Sequence, residues 1–211
     1  MKEPIAEKFF NEEERQRIAQ AVAEAEEGTS GEIATMVVAR SDSYCEATSL
    51  AAVLTAAFVS LVLAIASHHV TIWSYLPITL LLYFPARHAI CRLPRLQRPL
   101  ISRRRMEECV RQRAVRAFYE KGLYRTRNET GILIFISLFE HKVWILGDRG
   151  IDARIPAEAW QKYARLLSAG IGEGRACEAL CGVVAACGEE LARHFPRQAD
   201  DRDELPNEPL S

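Results

Sequence analysis

Asp148 and Asp152 stand four residues apart just past the apolar run KVWIL, and Glu32 opens an earlier β-branched run. Carboxylates in such positions can bind a hard divalent cation, calcium or another, because ligand sites in α/β sheets collect beyond strand ends. The competing interpretation is a turn. Asp148 and Gly150 are ordinary turn residues, and Asp152 could pair with Arg149 or Arg154 on the surface. Calcium takes roughly 6 to 8 oxygen ligands, and three acids fall well short of that, which favours the turn. Glu32, Asp148 and Asp152 are therefore the candidate metal ligands, and no catalytic residue is assigned.

Other reactive side chains have simpler roles. The six cysteines, Cys45, Cys91, Cys109, Cys177, Cys181 and Cys187, include no C-x-x-C pair; a reducing compartment argues against structural disulfides, and a thiolate metal site at Cys177, Cys181 and Cys187 is conceivable but lacks the usual ligand spacing. Cys177 and Cys181 lie one helical turn apart among alanines, where a free cysteine acts as a small buried hydrophobe. His68 and His69 could bind a metal or sense pH but are expected to be polar residues of a tight turn, and His141 is expected at a strand turn. No G-x-S-x-G, H-E-x-x-H, phosphate loop or dinucleotide fingerprint occurs, so nothing identifies a nucleophile.

The elements that carry these residues are dominated by two uncharged apolar stretches, 48–67 and 70–86, separated by His68 and His69. The first is about the 20 residues that cross roughly 30 Å of hydrocarbon, and the second reaches that length through Ile90 with Arg87 snorkelling to the interface. They are expected to form an antiparallel transmembrane hairpin, kinked near Pro77. Between Arg87 and Arg105 there are seven arginines and no acid, which places the soluble flanks on the cytoplasmic side. The position of this segment, directly after a spanning helix, favours anionic lipid over nucleic acid as its partner. No cleavable signal peptide precedes the hairpin, so the hairpin itself is expected to direct insertion. Two helices without buried charge offer no transport pathway, although an oligomer could build one.

On either side lie soluble elements. Asn11 followed by three glutamates starts a helix, with Glu14 completing a capping box and Gly28 ending it. GEIATMVVAR is a strand. After the hairpin, Met106, Val110, Ala114, Ala117 and Phe118 recur at helical spacing before Gly122. TGILIFISLF reads as a central strand covered on both faces, and KVWILGD returns from it as a β-hairpin. A helix after Pro156 buries Trp160, Tyr163, Leu166 and Leu167, glycines 170, 172 and 174 form a connection, and a last helix from about Arg175 to His194 turns Leu180, Val183, Val184, Cys187 and Leu191 inward. Trp144 is a further core aromatic. The chain is thus divided as 1–46 (helix and strand), 47–90 (hairpin), 91–105 (basic juxtamembrane linker), 106–196 (the remainder of the same domain) and 197–211 (a disordered acidic tail).

From TGILIFISLFEHKVWILGDRGI through IPAEAW to the terminal HFP, and again at FFNEEERQRIAQAVAEAEEGTSGEIATMVV, the chain resembles the TPM domain family. That resemblance implies an α/β/α sandwich with a small mixed sheet, here interrupted by a transmembrane helical hairpin. Some members are acid phosphatases, some bind calcium, and others act as accessory or assembly factors. Two departures stand out: the hairpin splits the domain, and the acids expected after the second hairpin strand are thinned to Asp148 and Asp152. The expectation is a two-pass inner-membrane protein with both termini and the soluble domain in the cytoplasm, contacting lipid through Arg87 to Arg105. It would bind other membrane proteins and assist their assembly or maintenance; a divalent-cation-dependent phosphatase is the alternative.

Overall fold

The structure is a computed structural model and describes residues 4–66, 72–126, 129–197 and 209–210. The chain divides into two compact units, Asp42–Met106 and the combination of Met1–Ser41 with Glu107–Ser211. A domain split by an internal helical insertion is therefore what the fold contains.

The larger unit holds α1 (Pro4–Glu7), α2 (Glu12–Glu26) and β1 (Glu32–Val38) from the first segment. The second segment adds the part of α6 (Arg103–Glu120) that follows Met106, a 3-10 turn, β2 (Gly131–Ser137), β3 (Lys142–Gly147), α7 (Arg149–Asp152), α8 (Ala157–Gly172) and α9 (Ala176–His194). The smaller unit consists of α3 (Cys45–Ala66), α4 (Ile72–Arg92), α5 (Pro94–Gln97) and another 3-10 turn.

The three strands form one mixed sheet in the order β1-β2-β3, with β1 parallel and β3 antiparallel to the central β2. All seven residues of β2 are buried, because helices pack on both faces. Ile33, Val37, Ile132, Ile134, Ile136 and Ile145 meet α2, α8 and α9, while Ala34, Met36, Leu133 and Phe135 meet Val110, Ala114, Ala117 and Phe118 of α6. The period-2 alternation of each strand thus supplies two cores from one sheet. The fold is mixed α/β, as the order of elements predicts.

Local signals fix most helix ends. Asn11 accepts from the Glu14 N–H at 2.8 Å while the Glu14 carboxylate accepts from the Asn11 N–H at 2.9 Å, completing the capping box. Gly122 takes a left-handed φ of 75° after α6. Gly28 does not, because α2 ends at Glu27 in right-handed helical geometry. Gly170 and Gly172 lie inside α8, and the connection to α9 reverses at Gly174 (φ 78°) instead. Trp160 and Leu167 are buried, but Leu166 is 55% exposed, since it lies about 100° around the helix from Leu167. Trp144 is only half-buried because β3 is an edge strand.

In the smaller unit, α3 and α4 form an antiparallel helical hairpin. Ala51 and Ala52, early in α3, pack with Tyr83, Ala86 and Ile90, late in α4. Thr48, Ala51, Ala52, Ala56, Ser60 and Ala64 make a buried stripe of small residues, which lets two helix backbones approach closely. The large apolar side chains point away, with Phe58 68% and Trp73 84% exposed. Among the described residues, α3 is the helix long and apolar enough to cross a membrane. α4, which carries Arg87 and His88 within its length, is less apolar, so length and composition mark one candidate span among the described residues and leave the second span as an expectation. His68 and His69, the expected turn, lie outside the described residues.

Residues 91–105 comprise the end of α4, α5, the 3-10 turn and the start of α6, with Gln97 buried and donating from Nε2 to Thr48 Oγ1 at 2.9 Å. Residues 198–208 of the expected acidic tail lie outside the described residues, but Leu210 is ordered against β1.

Candidate carboxylate site

The register of the sheet brings two of the three candidate acids to one end. Glu32 pairs with Gly131 in the parallel ladder, and the Asp148 N–H donates to the Gly131 carbonyl at 2.9 Å. Gly131 therefore sits between the Glu32 and Asp148 backbones. Only glycine fits there, since a Cβ would come within 2.6 Å of the Leu123 carbonyl oxygen.

Glu32 and Asp148 are both buried. Asp148 is the N-cap of α7: its Oδ1 accepts from the Arg149 N–H at 2.8 Å. Its Oδ2 is buried and accepts no hydrogen bond, an arrangement that costs free energy for a carboxylate. Asp152 lies close by on the same helical turn. Asp152 is itself exposed, but partial desolvation by its surroundings raises its carboxyl group above the usual carboxylate range, and the negative charge of Asp148 adds to the shift.

The surface ion pairs expected for Asp152 are not what the structure holds. Arg154 donates from Nη1 to the His194 carbonyl at 2.7 Å and lies 4.6 Å over the Phe195 ring. The turn reading of Asp148 is replaced by a capped helical turn, since φ at Gly150 is not positive.

The three acids do not converge. Strand alternation puts Glu32 on the Ala34 and Met36 face, whereas Asp152 Oδ1 lies 3.2 Å from where a Cβ on Gly147 would stand, on the Ile145 face. Among the described residues no group of three or more His, Cys, Asp or Glu is arranged to hold a metal ion. Because β3 is antiparallel, its carboxyl end lies at the amino ends of β1 and β2, opposite the edge where α/β ligand sites collect. What the structure assembles is a local pair on one helical turn, in which the negative charge of Asp148 opposes ionisation of Asp152.

At the carboxyl ends of β1 and β2 lies a cluster that spacing alone did not single out. Ser137 donates to the buried carboxylate of Glu140, Ser41 Oγ donates to Ser137 Oγ at 2.8 Å, and the Ser41 N–H donates to Glu140 Oε1 at 3.0 Å. The Ser-x-x-Glu spacing across the β2–β3 turn is its sequence signal. Every hydroxyl proton in this relay points toward the carboxylate, so the cluster ties the end of β1 to the hairpin.

The cysteines near α2 are packed as small apolar groups. Cys177 and Cys181 direct their sulfurs at the Glu14 and Arg17 carbonyls, at 3.8 and 3.9 Å. Burial pushes the Cys181 thiol up to about 11 and the Cys187 thiol to about 12, so neither is a thiolate at neutral pH.

No family model and no curated protein matches the chain. Among solved structures, it is similar to the NMR structure of the BA42 protein from the psychrophilic bacterium Bizionia argentinensis, with a TM-score of 0.60 and 21% sequence identity. The match covers 96% of this chain and 94% of that one, so the fold is shared along almost the whole length.

Proposed function

We propose that the chain is a two-pass inner-membrane protein whose cytoplasmic α/β unit, an α/β/α sandwich of the TPM-like type, binds other membrane proteins and assists their assembly or maintenance. The observation that carries this reading is the inverted surface of the α3–α4 hairpin. Small residues fill its interior while Leu54, Phe58, Trp73, Leu80 and Leu81 point outward, a distribution suited to lipid rather than water. Arg87 to Arg105 would then meet anionic head groups at about 1 kcal/mol per charge. Reporter fusions at His69 and after Ser211 should report opposite sides of the membrane, and an external reporter after Ser211 would reverse the topology. Affinity capture in mild detergent should recover the same membrane proteins repeatedly; failure to do so would remove the assembly role.

A phosphatase dependent on a divalent cation is the second reading, favoured by the buried, unpartnered Asp148 Oδ2 beside Asp152. Phosphate release from a generic aryl phosphate, lost on Asp148→Asn, would support it. Inactivity across metals and pH would eliminate it.

A further inference from the structure

β1 is an edge strand, and exposed edges are templates for further strand pairing. This edge is already occupied at two places by the chain itself. The Ile33 N–H donates to Glu26 Oε1 at 2.7 Å, so a side-chain carboxylate closes the start of the strand. Farther along, Leu210 forms a parallel bridge with Met36: its N–H donates to the Thr35 carbonyl at 2.7 Å, and its carbonyl accepts from the Val37 N–H at 3.0 Å. The Leu210 side chain packs against the cluster formed by Ala34, Met36, Val38 and α6.

A single residue thus reproduces both components of strand addition, main-chain hydrogen bonds for affinity and a side-chain pocket for selectivity. We propose that the outer edge of β1 is a recognition site for an extended peptide segment, and that Pro209 and Leu210 are its resident competitor. The occupant would be a protein segment that runs parallel to β1 and places an aliphatic anchor, uncharged and of leucine size, beside Met36. Leu210 takes the Val37 N–H and the Thr35 carbonyl, and an incoming strand in the same register would take those two bonds in its place. The resident segment holds its place by being tethered, which supplies an effective concentration of about mM. This inference goes beyond the assembly role, because it specifies how a segment of any protein would be read.

The test uses the full chain in mild detergent and a fluorescent peptide of residues 204–211, ELPNEPLS. Leu210→Asp puts a charge at the anchor and opens the edge, so this variant should bind the peptide at least about 10-fold more tightly than the unaltered chain, given the mM-scale tether. Leu210→Ala, which shortens the anchor without adding charge, should fall between them. A peptide carrying aspartate at the leucine position should lose at least about 10-fold in affinity for either variant. Amide exchange at Val37 should accelerate in Leu210→Asp and slow again when the peptide is added. Absence of binding to both variants, equal binding to all three chains, or Val37 exchange that the peptide does not change would each overturn the proposal.

Discussion

Two glycines of α9 allow the packing of the larger unit to be tested within one helix. A Cβ on Gly182 would meet nothing within 4 Å, whereas one on Gly188 would lie 2.7 Å from Ala25 Cβ, 2.9 Å from the Ala25 carbonyl oxygen and 3.0 Å from Ala25 Cα. Replacing an interior helical glycine by alanine gains roughly 0.5 to 1 kcal/mol through backbone entropy. Gly182→Ala should show that gain in full. At Gly188 the same gain is opposed by overpacking, typically about 1 to 3 kcal/mol, and two of the three contacts are backbone atoms of α2 that cannot rotate away. A net loss of about 1 kcal/mol follows, leaving the two variants about 2 kcal/mol apart, or roughly 4 to 8 °C in Tm for a chain of this size. Thermal unfolding in mild detergent, followed by near-ultraviolet circular dichroism, measures the difference. Adding Ala25→Gly to Gly188→Ala should recover only part of the loss, because it removes the 2.7 Å contact and leaves the carbonyl in place. If Gly188→Ala stabilised the protein as much as Gly182→Ala, the close crossing of α2 and α9 would be refuted.

Asp152 has a raised pKa in the folded protein, so ionised Asp152 opposes folding above that pKa and the penalty disappears once pH falls below the unfolded value of about 3.9. Asp152→Asn should therefore raise stability at neutral pH, with the advantage vanishing under acid, in urea melts at several pH values. Asp148→Asn keeps an N-cap side chain but removes the neighbouring charge; the Asp152 carboxyl resonance should titrate at lower pH in that variant, while staying above normal because partial desolvation is the larger cause. Phe135→Ala, at a fully buried position of the central strand, should cost about 3 to 5 kcal/mol by denaturant titration. In the smaller unit, Ala52→Leu inserts bulk at a fully buried site between α3 and α4 and should lower the Tm of the hairpin by overpacking, whereas Ala57→Leu on α3 should not produce a loss of comparable size.

The features legible in the sequence are those set by neighbours along the chain. The Asn11 capping box, the left-handed stop at Gly122, the inward stripe of α9 and the apolar hairpin all follow from short-range spacing. Even the burial of β2 on both faces is visible, because an uninterrupted apolar strand needs two covers. The candidate site was legible only as residue types. Asp148 and Asp152 are neighbours on one helical turn, so their coupling is local, but the place of Glu32 depends on strand pairing across about a hundred residues. Strand direction and face are long-range properties: the antiparallel return of β3 carries Asp148 to the amino ends of β1 and β2, and side-chain alternation separates Glu32 from Asp152. The edge bridge at Leu210 likewise has no local signal, because an acidic, proline-containing tail looks unable to bury anything on its own. By itself the sequence determined which segments are helix, strand and apolar hairpin, since those choices rest on propensity and periodicity. Only the tertiary structure decided which carboxylates meet and which strand edge the chain closes with its own leucine, since those depend on register between distant segments.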